Sequence, residues 1–67
     1  TGKVEYLKAL CYARQKNIEE AREALRRAVK QENFLVFKAE TESNFADILA
    51  DEAFHKELLD NGEELDE

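Results

Sequence analysis

The sequence predicts an all-α fold in which an antiparallel helical hairpin is followed by two or three short capping helices. Apolar residues between Val4 and Val29 recur at three- and four-residue steps on both sides of one polar break, which is the period of an amphipathic helix. The 67 residues include no Pro and only two Gly, so helix formers dominate and strands have little support. A chain of this length forms one small domain, which we place at residues 1–60.

The first two helices are predicted at about residues 2–15 and 18–31, joined by a polar turn. Asn17, with Glu20 three residues later, is a variant of the capping box and predicts that the second helix begins at Ile18. The apolar residues at helical spacing are expected to form the core face of the pair: Val4, Leu7, Cys11, Ile18, Ala21, Leu25, Ala28 and Val29.

Two helices joined by so short a turn lie antiparallel, and their close approach requires small side chains at the crossing. The small residues available there are Ala9 and Cys11 in the first helix and Ala21, Ala24 and Ala28 in the second. Cys11 is the only cysteine, which excludes an intrachain disulfide and a cysteine-based zinc site. We expect Cys11 to be a small buried residue of this crossing.

The second half of the chain is predicted to form three short helices, at about residues 34–40, 44–50 and 52–60. The expected caps are Ser43 or Asn44, Asp51, and an Asn61-Gly62 stop. These helices are expected to cover the apolar side of the hairpin by inserting Phe34, Phe37, Phe45, Ile48, Leu49, Phe54 and Leu58. The acidic residues 61–67 are expected to form a disordered tail.

The spacing of five hairpin residues resembles the tetratricopeptide repeat (TPR). A small residue, a tyrosine, an alanine, a large residue and an alanine of that family correspond to Ala9, Tyr12, Ala21, Leu25 and Ala28. The family usually has an aromatic, a leucine, a glycine and a proline where this chain has Glu5, Lys8, Lys16 and Asn33. The segment that follows is similar to the tail after the last repeat in bacterial proteins of this family. The resemblance implies a terminal repeat with its cap.

The resemblance also implies protein binding through a concave surface formed by the first helix of each hairpin. Carried over by position, the residues lining that surface are Lys3, Tyr6, Leu10, Ala13 and Arg14. The alternative is that Tyr6 and Leu10 pack on a preceding repeat or on the tail of the chain itself. We predict a non-catalytic interaction or scaffold module for a protein or peptide partner. The other interpretations are a self-association element, as a homodimer or a helix swap, and a non-catalytic segment of a larger enzyme.

Charge divides the chain into two unlike halves. Residues 1–31 hold eight Lys/Arg and four Glu, a net +4, whereas residues 32–67 hold two Lys and twelve Asp/Glu, a net −10, giving −6 for the whole. Either each helix solvates its own outer face, or the acidic half folds onto the basic hairpin, within the chain or across a dimer. The basic residues Arg22, Arg26, Arg27 and Lys30 form one cluster on a single helix face, with no aromatic residues between them. Such a cluster is a weak signal for nucleic-acid binding, so we predict none.

No catalytic, metal or cofactor site is predicted. One His and one Cys on separate helices cannot form a Ser/His/Asp or Cys/His arrangement. His55 follows Asp51 and Glu52 at helical spacing, but a single His with carboxylates is a poor transition-metal site. The run Asp60-Asn61-Gly62-Glu63 lacks the alternating ligands of a calcium loop. No apolar run is long enough to span a bilayer and no targeting pattern is found, so a cytoplasmic and a bacterial periplasmic location both stay open.

Overall fold

A computed structural model describes residues 2–63, and every regular element in that range is helical. The elements in chain order are α1 (Gly2–Arg14), α2 (Ile18–Gln31), α3 (Leu35–Glu40), a 3₁₀ turn (Ser43–Phe45), α4 (Ala46–Leu49) and α5 (Glu52–Glu63). Helices α1 and α2 pack against each other along their length as a hairpin. The predicted all-α class, with a hairpin followed by short helices, is therefore confirmed.

Helix α1 ends in a Schellman motif. The N–H of Lys16 donates to the carbonyl oxygen of Ala13 at 3.0 Å, and the N–H of Asn17 donates to that of Tyr12 at 2.8 Å. Lys16 has a φ angle of 65°, in the left-handed region that favours glycine over every L residue. The turn between α1 and α2 therefore has the geometry of a glycine-containing helix end, with a lysine at the glycine position.

The two predicted aspartate and asparagine caps have different outcomes. Asn17 precedes α2, but its side chain makes no capping hydrogen bond. The backbone carbonyl oxygen of Asn17 accepts a hydrogen bond from the N–H of Ala21 at 3.0 Å. The predicted capping box is therefore wrong. At the start of α5, Oδ1 of Asp51 accepts the N–H of Ala53 at 3.1 Å and that of Phe54 at 3.3 Å, so this predicted cap is confirmed.

The ends of the later helices also differ from the predicted ones. The 3₁₀ turn is capped by Glu42, whose carboxylate accepts the N–H of Asn44 at 3.4 Å, and not by the Ser43 or Asn44 side chain. Helix α5 continues to Glu63, so the predicted Asn61-Gly62 stop is wrong. No glycine in the part that the structure describes has the positive φ of such a helix end. Of the predicted disordered tail, residues 61–63 belong to helix α5, and residues 64–67 lie outside the described residues.

The core surrounds α2, which contacts α1, α3 and α5. Its buried side chains are Ala21, Ala24, Leu25, Ala28 and Val29. From α1 the core receives Tyr6 and Ala9, and from the C-terminal half it receives Leu35, Val36, Ala39, Phe45, Ile48, Phe54 and Leu58. The buried residues among those described are all apolar apart from the Tyr6 hydroxyl, so the hydrophobic effect provides the main driving force for closing this core.

The face of α1 that packs on α2 is not the predicted one. Val4 and Leu7 are 50% and 60% exposed, and Cys11 is exposed, so their predicted burial is wrong. Residues two positions apart on a helix do not share a face, so Ala9 and Cys11 cannot both lie at the crossing. The structure places Ala9 there, fully buried.

Small residues explain which face of α1 was selected. Gly2 and Ala9 are both buried in α1, seven residues apart and therefore on one side of the helix. A Cβ atom added to Gly2 would lie 3.0 Å from the carbonyl oxygen of Ala28 and 3.0 Å from Cγ of Glu32, too close for an ordinary contact. The backbone of α1 therefore approaches α2 more closely than a face of larger side chains would allow.

The C-terminal half covers the hairpin with most of the predicted side chains. Phe45, Ile48, Phe54 and Leu58 are buried and Leu49 is partly buried, as predicted. Phe34 and Phe37 are 55% and 62% exposed, so their predicted insertion is wrong. Helix α3 buries its other face, which consists of Leu35, Val36 and Ala39.

Candidate interaction surface

The residues predicted to line a concave binding surface lie on one side of α1, but the chain itself covers the centre of that side. Tyr6 is only 4% exposed, and its ring meets that of Phe45 edge to face, with centroids 5.5 Å apart and an interplanar angle of 82°. Leu10 and Ala13 are half-buried against the same core, whereas Lys3 and Arg14 are exposed at the edge of that side. For Tyr6, the alternative of packing on the chain's own C-terminal half is therefore the arrangement in this structure, and Leu10 packs against the same core.

Burial also changes the chemistry of the Tyr6 side chain. Its hydroxyl is buried and makes no hydrogen bond to any residue that the structure describes. Burial raises the pKa of the Tyr6 phenol, and the nearby carboxylate of Glu42 raises it further. Both effects disfavour the phenolate, so Tyr6 serves here as a neutral core aromatic.

The apolar surface that α1 leaves open is on its opposite side. Val4, Leu7 and Cys11 follow one another at steps of three and four residues, and with Lys8 and Tyr12 they line a shallow depression of about 370 Å³. We call these five residues the outer face. Helix α1 is therefore apolar on two sides: the side with Tyr6 and Ala9 packs on the core, and the outer face remains open.

Positive charge borders the outer face. Lys8 lines the outer face itself. Lys3 is four residues before Leu7 and Arg14 is three residues after Cys11, spacings that make neighbours on a helix surface, so both lie at the edge between the outer face and the Tyr6 side. All three cations are exposed, and the one acidic residue of α1 is Glu5. The Glu5 carboxylate accepts a hydrogen bond from Nε of Arg27 at 3.1 Å, and its side chain is only 17% exposed. Lys8 lies 3.9 Å from the same carboxylate, but its own side chain is 55% exposed. The surface around the outer face is therefore cationic.

A smaller apolar patch is formed by Phe34 and Phe37, three residues apart at the start of α3. Lys38 follows this pair, and its Nζ lies 5.7 Å from the centre of the Tyr6 ring. The position of Lys38 shows that α3 begins close to the buried side of α1. Unlike the outer face, this patch consists of two side chains and borders none of the depressions described for the structure.

The basic cluster of α2 is engaged by the acidic half of the same chain. Nη2 of Arg22 donates to Asp51 at 3.1 Å, and Nε of Arg26 donates to Glu57 at 2.6 Å. Both guanidinium groups lie over the ring of Phe54, at 5.6 Å and 5.3 Å from its centre. Of the two interpretations of the charge division, the folding of the acidic half onto the hairpin within one chain is thus observed.

These contacts stabilise the α2 and α5 pair. The hydrogen bond to Glu57 raises the pKa of the Arg26 guanidinium, which therefore stays charged under all ordinary conditions. All four charged side chains are at least 30% exposed, so the ion pairs contribute little individually, about 0–1 kcal/mol each. With this surface of Arg22 and Arg26 occupied, the two arginines are parts of the fold and not a separate binding patch.

His55 and Asp51, two of the three residues weighed for metal binding, have other partners in the structure. His55 is paired with Glu40 of α3, with Nε2 and Oε2 at 2.8 Å, whereas Asp51 caps α5 and binds Arg22. Among the residues described, no group of three or more potential ligands converges. No helix within the described range is long and apolar enough to cross a membrane.

Comparisons of the chain with protein-family models, with curated proteins and with solved structures found no match. The resemblance to the tetratricopeptide repeat therefore depends on the spacing of the hairpin residues and on the segment that follows them, and it stays a prediction. Periodicity alone does not identify the outer face, because its residues share the helical period of a core face. The signal that identifies it is the two-residue offset between Ala9 and Cys11, which assigns them to opposite sides of α1.

Proposed function

We propose that this protein is a non-catalytic protein–protein interaction or scaffold module. The observation that supports this proposal is the outer face of α1, where Val4, Leu7 and Cys11 lie aligned and exposed. Single exposed apolar side chains are common on protein surfaces. Three aligned residues beside a depression are more typical of a surface that another protein covers.

The hairpin is compatible with a terminal unit of a TPR-like array. Ala9 and Ala21 are fully buried at the positions where the family has small residues, and Ala28, seven residues after Ala21, is buried as well. In repeat proteins each hairpin packs on its neighbours, and the last one needs a cap. Helices α3 to α5 cover the inner side of this hairpin, and the outer face remains available to a preceding unit or to a separate partner.

Self-association through the outer face is the second candidate function. A two-fold pairing of outer faces would cover both apolar stripes at once. The exposed cations Lys3, Lys8 and Arg14 oppose this pairing, because like charges of the two copies would be brought together across the interface. A heterologous partner is therefore the primary proposal.

Cys11 allows the proposal to be tested, because it is the only thiol and lies on the outer face. A photoreactive group attached to Cys11 should cross-link a partner in an extract of the cells that express the protein. The same group attached through Glu19→Cys in a Cys11→Ser background should not, because Glu19 is exposed on α2 and away from the outer face. Leu7→Glu should abolish the Cys11 cross-link.

Two results would contradict the proposal. The first is a cross-linking pattern that is the same from Cys11 and from position 19, which would mean that the outer face has no specific partner. The second is a dimer in sedimentation velocity that Leu7→Glu dissociates, with no other protein cross-linked. That result would favour self-association.

A further inference from the structure

We propose that the outer face binds an acidic amphipathic helix of a partner protein. The inference depends on the proposed function and adds the chemical class of the partner. Three observations carry it: the length of the apolar stripe, the cations that border it, and the pairing of Glu5, the only acidic residue of α1, with Arg27.

The shape of the outer face is suited to a helix. Val4 and Cys11 are seven residues apart, so at a rise of about 1.5 Å per residue the stripe is roughly 10 Å long, or two helical turns. A partner helix with apolar side chains at i, i+3 or i+4, and i+7 presents a stripe of the same length. Addition of a partner strand is not available, because the described residues provide no sheet edge.

The charges determine which helix fits best. Lys3, Lys8 and Arg14 offer three exposed cations along α1. The carboxylate of Glu5 is shared between Arg27 at 3.1 Å and Lys8 at 3.9 Å, so this one negative charge does not balance the cations along the stripe. A partner with carboxylates on both edges of its apolar stripe would meet opposite charge along this surface, whereas a basic helix would meet like charge.

The net charge of the whole chain does not reverse this preference. The chain carries −6, but most of its acidic residues belong to the C-terminal half, and at physiological ionic strength charges more than about 8 Å away are largely screened. Two of these acids, Asp51 and Glu57, are also neutralised by Arg22 and Arg26. The partner therefore interacts mainly with the local cations.

Two synthetic helical peptides of about 15 residues test the inference directly. Both have leucines at i, i+3 and i+7; one has glutamates at the flanking positions and the other has lysines. Binding of each fluorescent peptide to the full 67-residue chain is measured by anisotropy. We expect the acidic peptide to bind at least about tenfold more tightly, with a preference that shrinks as salt is raised.

Three variants locate the binding. Leu7→Glu should abolish binding of the acidic peptide, and Lys8→Glu should weaken it by roughly three- to tenfold while favouring the basic peptide. Lys30→Glu is the matched control, since this exposed cation lies on α2 outside the outer face. Unchanged circular dichroism shows that each variant is folded. The acidic peptide should also slow the reaction of the Cys11 thiol with a disulfide reagent.

Several results would overturn the inference, and they are distinguishable from failure of the proposed function. Equal, Leu7-dependent binding of both peptides would mean that the face binds helices without preference for acid, so the interaction function would stand. Binding that survives Leu7→Glu, or no binding of either peptide, would also overturn the inference. In those cases the cross-linking from Cys11 decides the proposed function independently.

Discussion

Replacing Phe45 by alanine tests whether the C-terminal half closes the core through the 3₁₀ turn. The Phe45 side chain is fully buried, and its ring packs edge to face on Tyr6 of α1. The 3₁₀ turn also contacts α3 and α4, so this one side chain lies where the hairpin and the short helices meet. Its removal should therefore destabilise the whole domain.

The expected loss is large compared with the stability of so small a domain. Truncation of a buried phenylalanine to alanine costs about 3–5 kcal/mol, and loss of an edge-to-face aromatic pair accounts for about 0.5–1.5 kcal/mol beyond simple burial. At about 0.05–0.15 kcal/mol per residue, a domain of this size has a total stability of roughly 3–10 kcal/mol. Phe45→Ala should therefore remove most of the folding free energy. Phe45→Leu retains most of the apolar volume and should cost less than about 2 kcal/mol.

Urea unfolding followed by far-ultraviolet circular dichroism measures these differences. Phe37→Ala is the matched control, because the same substitution is made at a side chain that is 62% exposed, and it should change the stability by less than about 0.5 kcal/mol. Equal losses for Phe37→Ala and Phe45→Ala would refute the assigned burial of the two aromatic residues. An unchanged midpoint for Phe45→Ala would refute the closure of the core by the 3₁₀ turn.

Three further substitutions test individual features of the fold. Tyr6→Phe removes a buried hydroxyl without a hydrogen-bond partner among the described residues and should raise the unfolding free energy by about 1 kcal/mol, whereas Tyr12→Phe at a half-buried position should not. Because the folded-state pKa of Tyr6 is raised, the wild type should keep its stability below about pH 10 and lose part of it as the pH rises above that value. Tyr6→Phe should reduce this alkaline loss. A lower unfolding midpoint for Tyr6→Phe than for the wild type at neutral pH would contradict the argument. Lys16→Gly should raise the melting temperature and add about 1 kcal/mol to the unfolding free energy, because φ is 65° at this position. Arg14→Gly, in the last turn of α1, should lower the melting temperature. A change of the same sign in both variants would show that the left-handed geometry at Lys16 is wrong. Asp51→Ala should lower the unfolding free energy, measured by chemical denaturation, by about 0.5–2 kcal/mol. Asn17→Ala should lower it by less than about 0.5 kcal/mol, because the Asn17 side chain caps nothing in the described structure. A larger loss for Asn17→Ala than for Asp51→Ala would reverse the assignment of the caps.

The sequence by itself determined the helical class, the position of the hairpin and the buried face of α2. These predictions succeed because α2 has only one apolar stripe, Ala21, Ala24, Leu25, Ala28 and Val29, so its period permits one orientation. The cap at Asp51 could also be predicted, because an N-cap bond is local and needs only the residue type and the start of a helix.

The orientation of α1 and α3 was decided by the tertiary structure. Helix α1 has two apolar stripes with the same period, and α3 has apolar residues on both faces, so periodicity permits either side to be buried. The choice depends on contacts between residues distant in the chain: Gly2 and Ala9 allow the close approach to α2, and Phe45 reaches across to Tyr6.

The candidate site follows from that choice. The resemblance to a repeat family predicted a binding surface that included Tyr6, but the C-terminal half of the chain covers Tyr6 and leaves Val4, Leu7 and Cys11 open. Burial of one stripe of α1 necessarily exposes the other, because a helix between a core and solvent can turn only one side inward. The sequence contains both stripes, and long-range packing decides which one is left for a partner.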